Sequence, residues 1–193
     1  GATSEEIALA EVALKNAEID LANKKKTQAV LVANAYQTLL NSSTAAFSPS
    51  SSPATPPTIT GTYVLGREGD IRISVYQAGD GMRFLATGLV EASGIASVNS
   101  SESIGNSGLY IGFTQISSGE WIVSIPNKKA SNYLVNYNAY RNAREDETSI
   151  VGAAESLVNQ RQAELNLKKA EARSADIGIA EAEVLSAEAS LQS

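Results

Sequence analysis

Apolar residues return every three or four positions from Ser4 to about Asn41. Ile7, Ala10, Leu14, Ala17 and Leu21 hold the a/d spacing of a coiled coil. Beyond Lys24-Lys25-Lys26 the stripe shifts to Val30-Leu31, Asn34-Ala35 and Tyr36-Leu39, with a polar lapse at Lys24 and Gln28. No Pro and, after Gly1, no Gly interrupts it, so the pattern predicts one long helix ending at Asn41-Ser42-Ser43. Ser4 is the expected N-cap, with Glu5 and Glu6 at the positive end of the helix dipole. A second helical arm is expected to begin between Ser131 and Asn136 and to run past Ile150, Ala154, Leu157, Leu165 and Leu167 to Ala172. A break is expected at 173–175, with Ser174 capping a new helix whose Ile177, Ala180, Val184, Ala187 and Leu191 repeat the a/d spacing.

The pattern between the arms is different. Residues 45–57 hold four of the five prolines among Ser and Thr and read as a flexible, partly extended linker. Period-two alternation follows, clearest where Ile71, Ile73 and Val75 alternate with Arg72, Ser74 and Tyr76. Strands are expected near 60–65, 70–76, 83–86, 95–98, 108–113 and 120–125. Gly66 to Gly69, Gly79-Asp80-Gly81 and Ser117-Ser118-Gly119 supply turns. Six short strands at this spacing imply a small antiparallel sandwich or barrel.

The two arms also carry nearly the same segment. Ser4, Ile7, Ala10, Glu11, Ala17, Glu18 and Leu21 recur as Ser174, Ile177, Ala180, Glu181, Ala187, Glu188 and Leu191, always 170 positions later. If the two copies mark one height on antiparallel arms, residue i faces roughly residue 176 − i. Asn41 then faces Val135, where the second arm independently begins. Each arm would be about 38 residues, or roughly 57 Å. The expected fold class is α+β: a long antiparallel coiled-coil helical hairpin with a small antiparallel β-sandwich inserted at its tip. The expected segments are 1–43 (first arm), 44–57 (Pro/Ser-rich linker), 58–131 (β-sandwich-like insert) and 132–193 (returning arm, broken near 173–175). A free-standing coiled-coil dimer is the alternative. On the hairpin reading residues 176–193 face chain preceding Gly1, so the chain is expected to be an excerpt of something longer.

Composition narrows the chemistry. The 193 residues include no Cys and no His, which removes Cys and His nucleophiles, His bases, Cys-rich metal sites and disulfides. Net charge is −6 with no basic block, so nucleic-acid binding is not expected. No apolar run reaches the roughly 18–20 residues that span a bilayer.

Candidate sites are few. Glu68, Asp70 and Asp80 would form a calcium site only if folding gathered them, and their spacing matches no calcium loop. Gly66-Arg67-Glu68-Gly69 and Gly79-Asp80-Gly81 lack the Lys-Ser or Lys-Thr and the helix start of a phosphate loop. Tyr63, Tyr76, Tyr110, Phe113 and Trp121 suit either a sugar-binding face or the β core, and core is the more ordinary use. Tyr133, Tyr137 and Tyr140 share a helix face and are expected to seat the β region on the helices. Lys24-Lys25-Lys26 and Lys128-Lys129 read as solvated faces. An activated Ser would need a Lys base, and nothing singles out such a pair. The chain is expected to be non-enzymatic, with no catalytic, cofactor-binding or metal residues and no cofactor.

The repeated segments, Ser4-Glu5-Glu6-Ile7-Ala8-Leu9-Ala10-Glu11 and Ser174-Ala175-Asp176-Ile177-Gly178-Ile179-Ala180-Glu181, resemble the acid-Ile, Ala-rich helices of HlyD-like membrane fusion proteins. These are the periplasmic adaptor subunits of efflux and type I secretion systems. The resemblance covers the two arms, about half the chain. It implies a non-catalytic adaptor, extracytoplasmic and membrane-anchored in its full-length form. It further implies a homo-oligomer whose partners are an inner-membrane transporter and an envelope or exit-channel protein. The family's short hairpin turn is replaced here by linker and β region, so no tip residue carries over. The alternative function is a cell-surface binding or adhesion protein with a coiled-coil stalk and a glycan- or protein-binding β-domain.

Overall fold

The computed structural model describes residues 1–50 and 54–191. The described residues form an N-terminal helix α1 (Ser4–Leu40) and a C-terminal helix α2 (Tyr133–Leu191), with eight strands between them in sequence. The strands are β1 (Ala46–Phe47), β2 (Thr58–Gly61), β3 (Gly69–Ala78), β4 (Gly81–Gly88), β5 (Ala92–Ile95), β6 (Ser101–Ser103), β7 (Leu109–Gly112) and β8 (Gly119–Ile125). They form two antiparallel sheets, ordered β1-β8-β3-β4-β5 and β2-β7-β6. Contacts divide the chain into two units: residues 1–30 with 145–193, and residues 31–144.

This corrects the expected fold class. The chain is not a long coiled-coil hairpin with an inserted β-sandwich; it has one helix at each end of the sequence and two antiparallel sheets between them. The reason is where apolar surface is buried. The contiguous core is built from the strands and the loops that join them, with Leu40 added, whereas among the described residues of the first unit the buried positions are Ala17, Gln28, Ala154 and Leu165. Two alanines, one amide and one leucine do not make the continuous a/d core a coiled coil needs. The expected break at 173–175 is absent as well, because α2 runs uninterrupted to Leu191. Ser174 has no Gly or Pro before it, and a serine inside a helix costs only a few tenths of a kcal/mol relative to better formers. Of the expected linker 44–57, residues 51–53 lie outside the described residues, and residues 46–47 form β1. Residues 192–193 of the expected second arm likewise lie outside the described residues.

In the first unit the helices run antiparallel. Lys25 Nζ lies 2.8 Å from Glu155, Lys169 Nζ 2.9 Å from Glu11, and Lys168 Nζ 3.9 Å from Glu6. The cap of α1 is Thr3 rather than Ser4. Thr3 Oγ1 accepts the Glu6 N–H at 3.2 Å, and Glu6 Oε2 accepts the Thr3 N–H at 2.9 Å. This reciprocal capping box satisfies two backbone donors that a helix start leaves open. A hydrogen bond from its own backbone N–H, helped by Ser4, holds the Glu5 carboxyl below its usual range.

In the second unit the strand alternation sets the core. Ile71, Ile73 and Val75 of β3, Phe84 and Ala86 of β4, and Trp121, Val123 and Ile125 of β8 point inward. Ile59, Leu109, Ile111 and Phe113 complete the same cluster from the β2-β7 side. At about 25 cal/mol per Å² of apolar surface, such burial is the main stabilising term. Gly61 and Gly108 lie where β2 meets β7, both with positive φ, and a Cβ on either would collide with a carbonyl oxygen across the pair.

The ends of the helices are fastened into this unit by amides. Leu40 is fully buried in the β core. Asn41 Oδ1 accepts the Tyr63 N–H at 2.8 Å, and its Nδ2 donates to Tyr63 O at 3.0 Å and Gln37 O at 2.9 Å. Gln37 Nε2 donates to the same Tyr63 carbonyl. Buried Asn127 donates to Ser43 O at 2.8 Å and accepts the Lys129 N–H at 3.1 Å, which turns the chain toward α2. Asn136 Nδ2 donates to Ser42 Oγ at 3.0 Å.

Candidate functional site

The structure separates the three acids considered for calcium. Asp70 lies near the start of β3 and Asp80 in the turn after its end, on the order of 25 Å apart along an extended strand. Asp80 is held by Arg83, whose guanidinium keeps its carboxyl below the usual range. Glu68 accepts a hydrogen bond from Tyr36 Oη at 3.3 Å, and Asp70 accepts one from Ser124 Oγ at 2.7 Å. Among the described residues no group of three acids could hold a metal ion.

The five aromatics do not form one face. Tyr63, Phe113 and Trp121 are core residues, while Tyr76 and Tyr110 are exposed on different sheets. The helix tyrosines divide too. Tyr140 packs on Tyr36 of α1 with ring centroids 5.0 Å apart, and Tyr36 in turn lies against the β core. Tyr133 and Tyr137 instead stack on each other at 6.0 Å, beside exposed Leu134 and Val135. Burial pushes the Tyr36 phenol above its ordinary range, and the Glu68 carboxylate adds to the shift.

Folding gathers a different set. Phe47, Glu68, Asp70, Ser124, Pro126 and Lys129 line a cleft of about 360 Å³ where β1, β3 and β8 end. The Lys129 ammonium sits 4.5 Å from the centre of the Phe47 ring, a cation–π contact. Charges of both signs therefore face one opening. Ser124 Oγ donates its hydrogen bond to Asp70 across this opening. Sequence reasoning noticed Glu68, Asp70 and Lys129 separately. Phe47, Ser124 and Pro126 gave no signal, because their proximity follows from the β1–β8 and β3–β8 pairings.

A second concavity of about 390 Å³ lies on the outer face of the five-stranded sheet, lined by Pro49, Arg72, Ser74, Leu85, Glu120 and Ile122 among others. Comparison with protein-family models, with curated proteins and with solved structures finds no match to this chain. What fold and surface define is thus an α+β protein of two helices and two antiparallel sheets with open, mixed-charge surfaces. No helix among the described residues is long and apolar enough to cross a membrane.

Proposed function

We propose that this chain is a non-catalytic adaptor segment of an efflux or secretion complex, of the HlyD-like membrane fusion type. In this reading the full-length protein is extracytoplasmic, membrane-anchored and homo-oligomeric, and joins an inner-membrane transporter to an envelope or exit-channel partner. The helices act as spacer, and the β region makes a distal contact. The observation that carries the reading is the pair of antiparallel helices in the first unit, tied by Lys–Glu pairs while Leu9, Val12, Ile19 and Leu167 stay exposed. Apolar residues outside the seam suit lateral contact with neighbouring subunits.

The test is made on the full-length protein in its own cell. Photo-crosslinkers at Val12 and Ile19 should give self-adducts and adducts to a transporter in the membrane fraction. Soluble monomer without either adduct would overturn the proposal. The open sheet face, with Tyr76 and Leu85 exposed, favours as second reading a cell-surface binding protein. Saturable binding of the intact chain on a glycan array, lost on Tyr76→Ala, would favour that reading instead.

A further inference from the structure

The end of α1 carries amides at a spacing that elsewhere in a helix buries apolar residues. Asn34, Gln37, Thr38 and Asn41 stand at i, i+3, i+4 and i+7 and so share one face. Asn132 and Asn136, one turn apart where α2 begins, lie against it: Asn136 Nδ2 donates to Thr38 O at 3.4 Å as well as to Ser42 Oγ. Together with Thr62, which follows β2, these residues line a concavity of about 500 Å³. That volume falls in the range of small-molecule sites, roughly 300–1,000 Å³. The whole lining belongs to the unit of residues 31–144, and every residue in it carries an amide or a hydroxyl and no charge.

Part of this polar set serves the fold. Asn41 is fully engaged by Tyr63 and Gln37, and Gln37 Nε2 and Asn136 Nδ2 both donate within the protein. The rest is unused. Asn34 and Thr62 are exposed, and their side chains make no hydrogen bond among the described residues. Asn132 Oδ1 is buried and has no hydrogen-bond partner. An unpaired buried acceptor is costly, and the large majority of such atoms in folded proteins are paired. A hydroxyl entering the concavity would supply the missing bond.

The lining narrows the ligand. It holds no charged group to attract an ion. Amide oxygens accept, amide nitrogens donate and hydroxyls do both, so the matching ligand is neutral and offers donors and acceptors together. A peptide main chain does so, but it brings a side chain with each residue, and no apolar residue lines the concavity to receive one. A saccharide presents hydroxyls around its whole rim. We propose that this concavity is a binding site for a neutral saccharide, whose hydroxyls bond Asn34, Thr62 and Asn132. The proposal is independent of the export-complex reading, and Tyr76 of the outer sheet face plays no part in it.

The test follows the side-chain amide signals of Asn and Gln by heteronuclear NMR on the intact chain. The probes are neutral hexoses, N-acetylhexosamines and their disaccharides at millimolar concentration, with gluconate as the charged comparison and triglycine as the main-chain one. At least one neutral saccharide should shift the Asn34 and Asn132 amides saturably. Asn34→Ala with Thr62→Val, read at Asn132, should weaken that binding on the order of tenfold. The double variant should keep its fold, because neither side chain bonds within the protein, and an unchanged backbone spectrum away from the site checks this. Tyr76→Ala should leave binding as it was. No saturable shift with any saccharide overturns the proposal, as does binding that survives the double variant or is lost on Tyr76→Ala. Gluconate binding as tightly as the neutral sugars, or triglycine binding in their place, overturns it too, by showing that the site reads charge or a main chain.

Discussion

Asn41 carries more of the second unit's continuity than its size suggests. Its side chain holds both backbone groups of Tyr63 and the carbonyl of Gln37. Removing it leaves the Tyr63 N–H without its acceptor and takes two further bonds from carbonyls that keep one donor each, at about 1 kcal/mol net per bond. Asn41→Ala should therefore cost about 2–3 kcal/mol in urea unfolding followed by Trp121 fluorescence; a loss under 0.5 kcal/mol would mean water replaces the amide. The tyrosines set the pH response. Burial raises the Tyr63 phenol above its ordinary value, and Tyr36 is raised in the same sense. A raised folded pKa contributes stability fully present below the unfolded value near 10 and lost as pH climbs through the folded one. With no His to titrate near neutrality, stability should stay flat from about pH 6 to 8 and fall above about pH 10. Tyr63→Phe should make that alkaline fall shallower, as read by melting temperature against pH.

At the scale of elements, local signals served unevenly. The alternation at 71–75 located β3 because one face is core and the other open. β1 and β6, two and three residues long, showed no such pattern; Ser101–Ser103 is exposed throughout, and only pairing with β7 makes it a strand. The Ser-acid-Ile motif predicted a cap at both Ser4 and Ser174, yet Thr3 caps α1 and Ser174 lies inside α2. A capping residue acts only where the chain before it leaves the helix, and nothing before Ser174 makes it leave. Gly152 and Gly178 are interior to the same helix, with open space where a Cβ would go. Gly178→Ala and Gly152→Ala should each add about 0.5–1 kcal/mol of helix stability, visible as stronger ellipticity at 222 nm. A loss of ellipticity would mean that residues 173–178 do bend in solution.

At the scale of the molecule, the two units rest on different physics. The unit of residues 31–144 has a contiguous apolar core, whereas the unit of 1–30 with 145–193 has thin burial and exposed ion pairs. Exposed pairs contribute at most about 1 kcal/mol each and weaken with salt. Unfolding should therefore occur in two steps. Ellipticity at 222 nm should fall first, and earlier in 1 M salt, while Trp121, the single tryptophan and a core residue of the second unit, reports the later step. Coincident transitions by both probes would show one cooperative unit instead.

The sequence by itself determined helix at both chain ends and strands between them, because period and turn chemistry are local properties of the chain. It also excluded Cys and His chemistry outright. Tertiary structure alone decided which apolar stripe is covered and which is bare. Ser4–Leu21 and Ser174–Leu191 share the same apolar spacing and seven of eighteen residues, yet Ile7 and Leu21 are half-buried while Ile177 and Leu191 are exposed. It also decided that Asp70 meets Ser124 while Asp80, ten residues further on, lies past the other end of β3 beside Arg83. Burial and proximity depend on what the rest of the chain brings alongside, and no local pattern encodes that.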